Sequence, residues 1–321
     1  MQRVRDLLET RQVHIYFGSV VAGAVFTLIA PATMAFEKAI NPALAFMLFV
    51  TFLQVPLADL GRAFTRWQFT SALLAANFVA IPLLVAALAQ LLPVDPLIRL
   101  GVLLVLLTPC IDYVVTFAHL GRADAKLLLA ATPALLLLQM ALLPVFLRLI
   151  LGDSAVELVR AGPFFHAFLW LIAIPLVLAG LVQFWAARAS LGAAVSSVLG
   201  VLPVPATAFV LFVVVAAVVP QLQPALDAVV VAVPFYVAFA VLAPLAGWGV
   251  GKAFGLKAEE ARAVAFSTAT RNSLVVLPLA LAVPGAFPIL PAIIVTQTLV
   301  ELISELFYIR TIPRLGQALP A

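Results

Sequence analysis

The sequence contains few charged residues and a single cysteine in a chain of 321 residues. Charged residues make up 10% of it, whereas hydrophobic residues make up 65%. A chain with so few charged side chains cannot cover a water-soluble surface, so we expect one bundle of helices in a lipid bilayer. The chain has a formal net charge of +4, but its basic residues are scattered between apolar segments, which argues against a nucleic-acid partner.

Several sequence motifs that support catalysis or metal binding are also missing. With Cys110 alone, the chain can form neither an internal disulfide nor a Cys-x-x-Cys site, and its three histidines lie in different segments. Gly251-Lys252 lacks the upstream glycine and the following Ser or Thr of a phosphate-binding loop, and there is no His-Glu-x-x-His or Gly-x-Ser-x-Gly motif. We therefore expect neither an ATP-driven pump within this chain nor an enzyme, a cofactor or a bound metal.

Apolar segments long enough to span a bilayer fill the remainder of the sequence. They lie near residues 13–33, 41–59, 68–92, 97–120, 126–151, 164–187, 198–219, 227–251, 260–283 and 287–310. We interpret the first as a spanning helix, although Ala30-Pro31-Ala32 weakly resembles a signal-peptide cleavage site, because its apolar core exceeds the usual signal length. In the eighth segment, Gly247-x-x-x-Gly251 is interpreted as a helix-packing motif rather than a dimer motif.

The basic residues are distributed unevenly between the loops. If the N-terminus is cytoplasmic, thirteen of them lie on the cytoplasmic side and four lie outside, while Arg271 falls within a span. Cytoplasmic loops carry an excess of Lys and Arg. We therefore predict a multi-pass protein of the plasma membrane, the inner membrane of a bacterium, with both termini in the cytoplasm.

Ten spans divide into two sets of five, at about 13–151 and 164–310. An odd number per set requires that the second set be inserted upside down relative to the first, as in many secondary transporters. We therefore predict an all-α fold with two inverted repeats in one transmembrane domain, residues 1–321. Such folds bind substrate where corresponding helices are broken near the membrane midplane.

The fourth span of each set carries a polar interruption. The first is Thr108-Pro109-Cys110-Ile111-Asp112, in which Pro109 removes a backbone donor. The second is the polar run from Ser267 to Ser273. Because polar backbone in lipid is tolerated only where protein or a water cavity satisfies it, we expect the two interruptions to face each other. Thr108 and Ser273 become candidate substrate contacts.

The fourth span also carries the most specific family motif, formed by Cys110-Ile111, Val114-Val115 and Leu120-Gly121-Arg122-Ala123-Asp124. Shorter motifs occur at Pro56-Leu57-Ala58, Asn77-Phe78 with Pro82, Gln139 with Pro144, Ile174-Pro175-Leu176 with Gly180, and Leu299-Val300-Glu301. Over nearly the whole chain, these residues resemble the arsenite efflux carriers of the bile acid/sodium symporter superfamily. The resemblance implies that helices 4 and 9 cross, and that Cys110 coordinates arsenite transiently.

The ninth span departs from that resemblance. Family carriers have a paired-asparagine motif followed closely by an acidic residue, whereas this chain has Arg271-Asn272 and then Leu274. The sodium-coupled bile-acid branch has a Glu at the position of Ser267 and a Gln-Asn pair at Arg271-Asn272. Since neither pattern is complete, the resemblance leaves the substrate and the coupling ion open.

The spans contain several ionisable residues that are costly in lipid and are therefore candidates for function. Arg271 needs a partner, and Asp112 on the matching helix is the predicted one, either as a fixed clamp or as a pair that opens when Asp112 takes up a proton. Glu301 is a candidate proton relay, and Glu305 could simply pair with Arg310. Asn272, next to Arg271, is a candidate substrate contact.

Cys110 has two interpretations. It is either a small buried hydrophobic residue, or a soft ligand whose thiolate form is favoured at a half-helix N-terminus.

Arg271 would repel sodium, so we predict sodium-independent transport with a proton as the coupling ion. Two functions remain open. One is proton-coupled efflux of arsenite, with antimonite as a second substrate. The other is an organic-anion carrier in which Arg271 grips a carboxylate or sulfonate.

Overall fold

The computed structural model describes residues 2–29, 33–55, 66–93, 95–111, 113–152, 161–221 and 223–316. Within these ranges the chain is helical, and its only β-type pairing is one isolated bridge. The helices are α1 (Gln2–Ile29), α2 (Thr33–Phe52), α3 (Trp67–Ala89), α4 (Pro96–Leu106), α5 (Val114–Leu120), α6 (Ala125–Leu151), α7 (Ala161–Phe168), α8 (Ile174–Ala186), α9 (Ser190–Leu199), α10 (Pro203–Val218), α11 (Gln223–Ala253), α12 (Ala258–Ala269), α13 (Ser273–Leu281) and α14 (Ile289–Thr311). A π-helical turn at Ala76–Ala80 lies inside α3, and another at Leu169–Ala173 joins α7 to α8.

Several of the described helices are long and apolar enough to cross a bilayer. Six meet this criterion, and the pair α9 and α10, bent by 41°, would provide a seventh. The chain is therefore a multi-pass membrane protein, as predicted. The predicted spans 97–120 and 260–283 fail the criterion because each is divided into helices of 12 residues or fewer. The arrangement of ten spans as inverted repeats stays a prediction.

The interruptions in those two spans define the breaks to which the site belongs. The first break comprises the described residues 107–111 and 113, between α4 and α5, and the second comprises residues 270–272, between α12 and α13. The predicted span 41–59 begins earlier than expected, since α2 starts at Thr33, and its last residues lie outside the described part of the chain.

The chain forms two compact units, each of which takes segments from both halves of the sequence. Unit 1 comprises Met1–Gln54, Val156–Val229 and Leu274–Val295, and in it α10 packs against α1 and α2. Unit 2 comprises Val55–Ala155, Val230–Ser273 and Thr296–Ala321, and in it α12 packs against α3, α5 and α6. Both breaks lie in unit 2, so a single unit contains the site. The prediction of one transmembrane domain stays a prediction.

Helix α12 forms the centre of unit 2. Every residue from Glu260 to Ala269 is buried, although α12 contains polar residues as well as alanines. A helix buried on all sides must be contacted by protein around its whole circumference. Small side chains such as Ala261 and Ala265 allow the close approach of neighbouring helices that membrane packing requires.

Helix α11 packs against α12 through Gly247 and Gly251. A Cβ atom added to Gly247 would collide with the Thr268 hydroxyl and lie 2.9 Å from the Val264 carbonyl oxygen, and one added to Gly251 would lie 2.9 Å from the Ala261 Cα atom. These distances are too short for a van der Waals contact. The geometry agrees with the helix-packing interpretation of the Gly247-x-x-x-Gly251 motif.

Gly247→Val is therefore expected to destabilise the protein by about 1–3 kcal/mol, because the side chain must displace α12 backbone. The matched control is Gly249→Val on the same helix, where an added Cβ atom meets nothing within 4 Å. Thermal unfolding of the purified proteins in detergent would measure both. Equal losses of stability in the two variants would contradict the packing role.

Candidate functional site

The two breaks contact each other through their backbones. The Cys110 amide donates a hydrogen bond to the Thr270 carbonyl at 3.1 Å, and the Asn272 amide donates to the Thr108 carbonyl at 2.8 Å. These bonds flank an antiparallel bridge between Pro109 and Arg271. Groups that would be unpaired in lipid are thus satisfied by the opposite break.

The sequence of the first break explains why α4 ends there. Pro109 has no backbone N–H and cannot continue the helical hydrogen-bond pattern. The Thr108 hydroxyl donates back to the Leu104 carbonyl at 2.8 Å, which occupies its only proton. Thr108 therefore contributes its backbone carbonyl to the crossing, and its hydroxyl proton is committed to its own helix.

Arg271 is fully buried, and its side chain folds back over the end of its own half-helix. Nitrogen Nη2, which carries two protons, lies within hydrogen-bond distance of three acceptors: the carbonyls of Ser267 at 2.6 Å and Thr268 at 2.8 Å, and Oδ1 of Asn77 at 2.9 Å. Nitrogen Nη1 lies 3.4 Å from the Leu106 carbonyl, at the end of α4. A cation at a helix C-terminus binds the unpaired carbonyls and opposes the negative end of the helix dipole.

Asp112, the predicted partner of Arg271, lies outside the described residues, so this pair stays a prediction. In the described part of the chain the guanidinium group is held by an amide oxygen and by carbonyls, and no carboxylate lies within ion-pair distance of it. Multiple neutral acceptors can hold a guanidinium because it presents five donors in a fixed planar arrangement.

Asn77 is positioned by the π-helical turn of α3. Its Nδ2 donates to the Leu73 carbonyl at 3.1 Å and to the Ser267 hydroxyl at 3.0 Å, which directs Oδ1 toward Arg271. Pro82 follows the turn and cannot donate a regular helical bond, and π-helical turns often occur at functional sites. In the sequence, Asn77 belongs to one of the shorter family motifs and was not assigned to the site. The structure places it there.

Glu301 on α14 is 3% exposed and accepts three hydrogen bonds. Its Oε2 atom accepts from the Arg271 amide at 2.7 Å and from Nε2 of Gln297 at 2.6 Å, while Oε1 accepts from the Tyr113 hydroxyl. The Ser273 hydroxyl, a predicted substrate contact, donates to Oε1 of Gln297. Three donors around one carboxyl group stabilise its charged form.

Glu305, one turn further along α14, contacts the second break. The carboxyl group is fully buried, with Oε1 2.6 Å from the Thr270 hydroxyl, and Oε2 has no hydrogen-bond partner among the described residues. The suggested pairing with Arg310 does not occur, because Arg310 is exposed and Glu305 points into the protein. Neither Thr270 nor Glu305 was predicted from the sequence as a site residue.

The crossing also contains groups that could bind a substrate. Cys110 is fully buried beside the second break. The Nε atom of Arg271 and the Nδ2 atom of Asn272 are buried donors without partners among the described residues. Of the five predicted substrate contacts, Thr108 and Ser273 use their hydroxyl protons within the protein, whereas Arg271 and Asn272 each keep one donor without a partner among the described residues.

Comparison with known proteins identifies a related family over part of the chain. The model of the sodium bile acid symporter family matches residues 41–227, which is more than half of the 321 residues. The matched residues include the first break and Asn77, whereas the second break and α14 lie beyond them. No curated protein matches the chain.

Proposed function

Because the chain belongs to the sodium bile acid symporter family, a family of transporters, we propose that it exports arsenite in exchange for protons and does not use sodium. Membership of a transporter family agrees with the expectation that the chain is not an enzyme. The proposed location is the plasma membrane, with both termini in the cytoplasm. Antimonite, which has similar chemistry, is the proposed second substrate.

The observation that carries this proposal is the backbone pairing of the two breaks beside a buried thiol. Arsenite is a neutral hydroxide of a soft, thiol-seeking element, so a single cysteine is a suitable transient ligand. In the binding step an As–S bond forms and an As–OH bond breaks, and the hydroxide leaves with the thiol proton as water. Arg271 and Asn272 could donate hydrogen bonds to the remaining hydroxyl groups through their unused N–H donors.

The surroundings of Arg271 support transport without sodium. Carbonyl oxygens at the C-terminal ends of half-helices are typical ligands of a coupling sodium ion in secondary transporters. Here the carbonyls of Ser267 and Thr268 and the side-chain oxygen of Asn77 are bound to the guanidinium group instead. The protein's own cation thus holds the oxygen atoms that a sodium ion would need.

A sodium-independent organic-anion carrier is the second candidate. The Arg271 Nε donor favours it, because this atom has no partner in the described part of the chain and a carboxylate or sulfonate could accept from it. The contacts of Nη2 argue against it. This nitrogen is already bound to three oxygen atoms of the protein, so the guanidinium group cannot readily bind an anion through two parallel hydrogen bonds.

Expression in an arsenite-sensitive bacterial strain tests the proposal. The wild-type protein is expected to protect the cells, and Cys110→Ser is expected to lose most of that protection because a hydroxyl group is a poor ligand for arsenic. Replacing sodium by choline in vesicles should leave arsenite flux unchanged. A well-inserted wild-type protein that gives no protection would favour the organic-anion carrier, and a sodium requirement would contradict the proposed coupling.

A further inference from the structure

The hydroxyl group of Thr270 lies between two oxygen atoms. It is 2.7 Å from the Phe266 carbonyl and 2.6 Å from Oε1 of Glu305. A threonine hydroxyl has one proton to donate, and a backbone carbonyl can only accept. If Thr270 donates to Phe266, the contact with Glu305 requires a proton from Glu305. If Thr270 donates to Glu305 instead, the 2.7 Å contact with the Phe266 carbonyl is left without a proton, so both contacts are satisfied only when Glu305 supplies one. This accounting indicates that Glu305 carries a proton and donates it to Thr270.

The other oxygen of Glu305 leads to the same conclusion. Oε2 is buried without a hydrogen-bond partner among the described residues. A buried carboxylate left without a cation or donors is very costly, whereas the carbonyl oxygen of a neutral carboxyl group is much cheaper to leave unpaired. Glu301, one turn away, contrasts with it, because its two oxygen atoms accept three hydrogen bonds.

We propose that Glu305 is the residue that binds the coupling proton, and this inference depends on the proton exchange of the proposed function. Glu305 takes up a proton to become a neutral carboxyl group and releases it on the other side of the membrane as a carboxylate. Thr270 connects that event to the substrate site, because its carbonyl accepts the hydrogen bond from the Cys110 amide. A change in the charge of Glu305 therefore acts directly on the crossing.

The groups around Glu305 determine what happens when it loses its proton and becomes charged. Among the described residues, the titratable groups that interact with Glu305 are Glu301 and Tyr308, both on α14. The Tyr308 hydroxyl donates to the Ala240 carbonyl, so α11 presents a neutral group there. Loss of the proton would leave Glu305 charged one turn from Glu301 on the same helix, and two carboxylates at that spacing repel each other.

Glu305→Gln tests the assignment, because the amide keeps the size of a neutral carboxyl group and can still donate to Thr270. The variant should retain wild-type thermal stability and exchange radiolabelled arsenite across vesicle membranes when no pH gradient is present. It should lose at least ten-fold in flux driven by an imposed pH gradient. Infrared spectroscopy should show a protonated carboxyl signal in the wild type that is absent from Glu305→Gln and retained in Glu305→Asp.

Two results would overturn the inference. One is a Glu305→Gln protein with an unchanged carboxyl signal, which would place the proton elsewhere. The other is a variant whose flux still follows the pH gradient. If instead the wild type moves arsenite without responding to the gradient, the proposed proton coupling fails and the inference fails with it. A wild type that follows the gradient with another substrate contradicts only the choice of arsenite, and the Glu305 test can then be repeated with that substrate.

Discussion

Replacing Arg271 with methionine is expected to abolish transport and to destabilise the protein by about 3–5 kcal/mol, because it leaves several buried acceptors without a donor and each costs about 1–3 kcal/mol. The guanidinium group holds Asn77 and two helix-end carbonyls at once, and methionine can bind none of them. The substitution also removes a positive charge near Glu301. Thermal unfolding in detergent and flux in vesicles would measure the two effects.

Arg262→Met provides the matched control for this prediction. Arg262 is also a nearly buried arginine of α12 and also donates to carbonyls, those of Leu315 and Arg122, but it lies at the other end of the helix from the crossing. We expect the control to lose stability and to keep substantial transport per folded molecule. Arg271→Lys should rescue little, because one ammonium group cannot reproduce the planar arrangement of donors. Full transport by Arg271→Met would contradict the role of the guanidinium group in the site.

The breaks could be predicted because their cause is local. Pro109 cannot donate a helical hydrogen bond, and the polar run that ends at Ser273 is incompatible with an uninterrupted helix in lipid. The meeting of the two breaks also followed from the sequence, since each supplies groups that the other can satisfy. The number of long spanning helices was harder to predict from the sequence, because a broken span forms two short helices rather than one long helix.

The partners of Arg271 could not be predicted in the same way. Asn77 reaches the guanidinium group only because a π-helical turn sets its direction and α3 packs against α12, and both depend on tertiary structure. The suggested pairing of Glu305 with Arg310 was wrong for a related reason. Sequence spacing suggested a nearby arginine, whereas the rotation of α14 turns the carboxyl group inward to Thr270. In the sequence, Asn77 and Glu305 differ little from amides and carboxylates that merely join helices.

Glu301→Leu is the second substitution with a large expected effect. The carboxyl group accepts from the Arg271 amide, from Gln297 and from the half-buried Tyr113, and leucine would leave these three donors without their acceptor. Each unsatisfied donor costs about 1–3 kcal/mol. Allowing for local rearrangement, we expect a loss of about 3–5 kcal/mol, similar to that for breaking a buried ion pair. Transport should be lost as well, since the Arg271 amide belongs to the second break.

Glu301→Gln separates the shape of this group from its charge. The amide oxygen can accept from the Arg271 amide, and Tyr113 can turn its hydroxyl toward the Arg271 carbonyl, which already lies at 3.3 Å. The glutamine variant should therefore be more stable than the leucine variant and still be impaired in transport. Equal stability of the two variants would show that the hydrogen bonds to Glu301 contribute nothing.

Combining Arg271→Met with Glu301→Leu tests whether the two charges act together. Both substitutions act on the second break, Arg271→Met through the guanidinium contacts and Glu301→Leu through the hydrogen bond to the Arg271 amide, and the double variant removes both sets of contacts. The double variant should therefore lose less stability than the sum of the single losses, with a difference of about 0.5–3 kcal/mol, which is typical of residues in one network. Thermal unfolding of the four proteins under one condition gives this difference directly. Strict additivity would mean that Arg271 and Glu301 stabilise the crossing independently of each other.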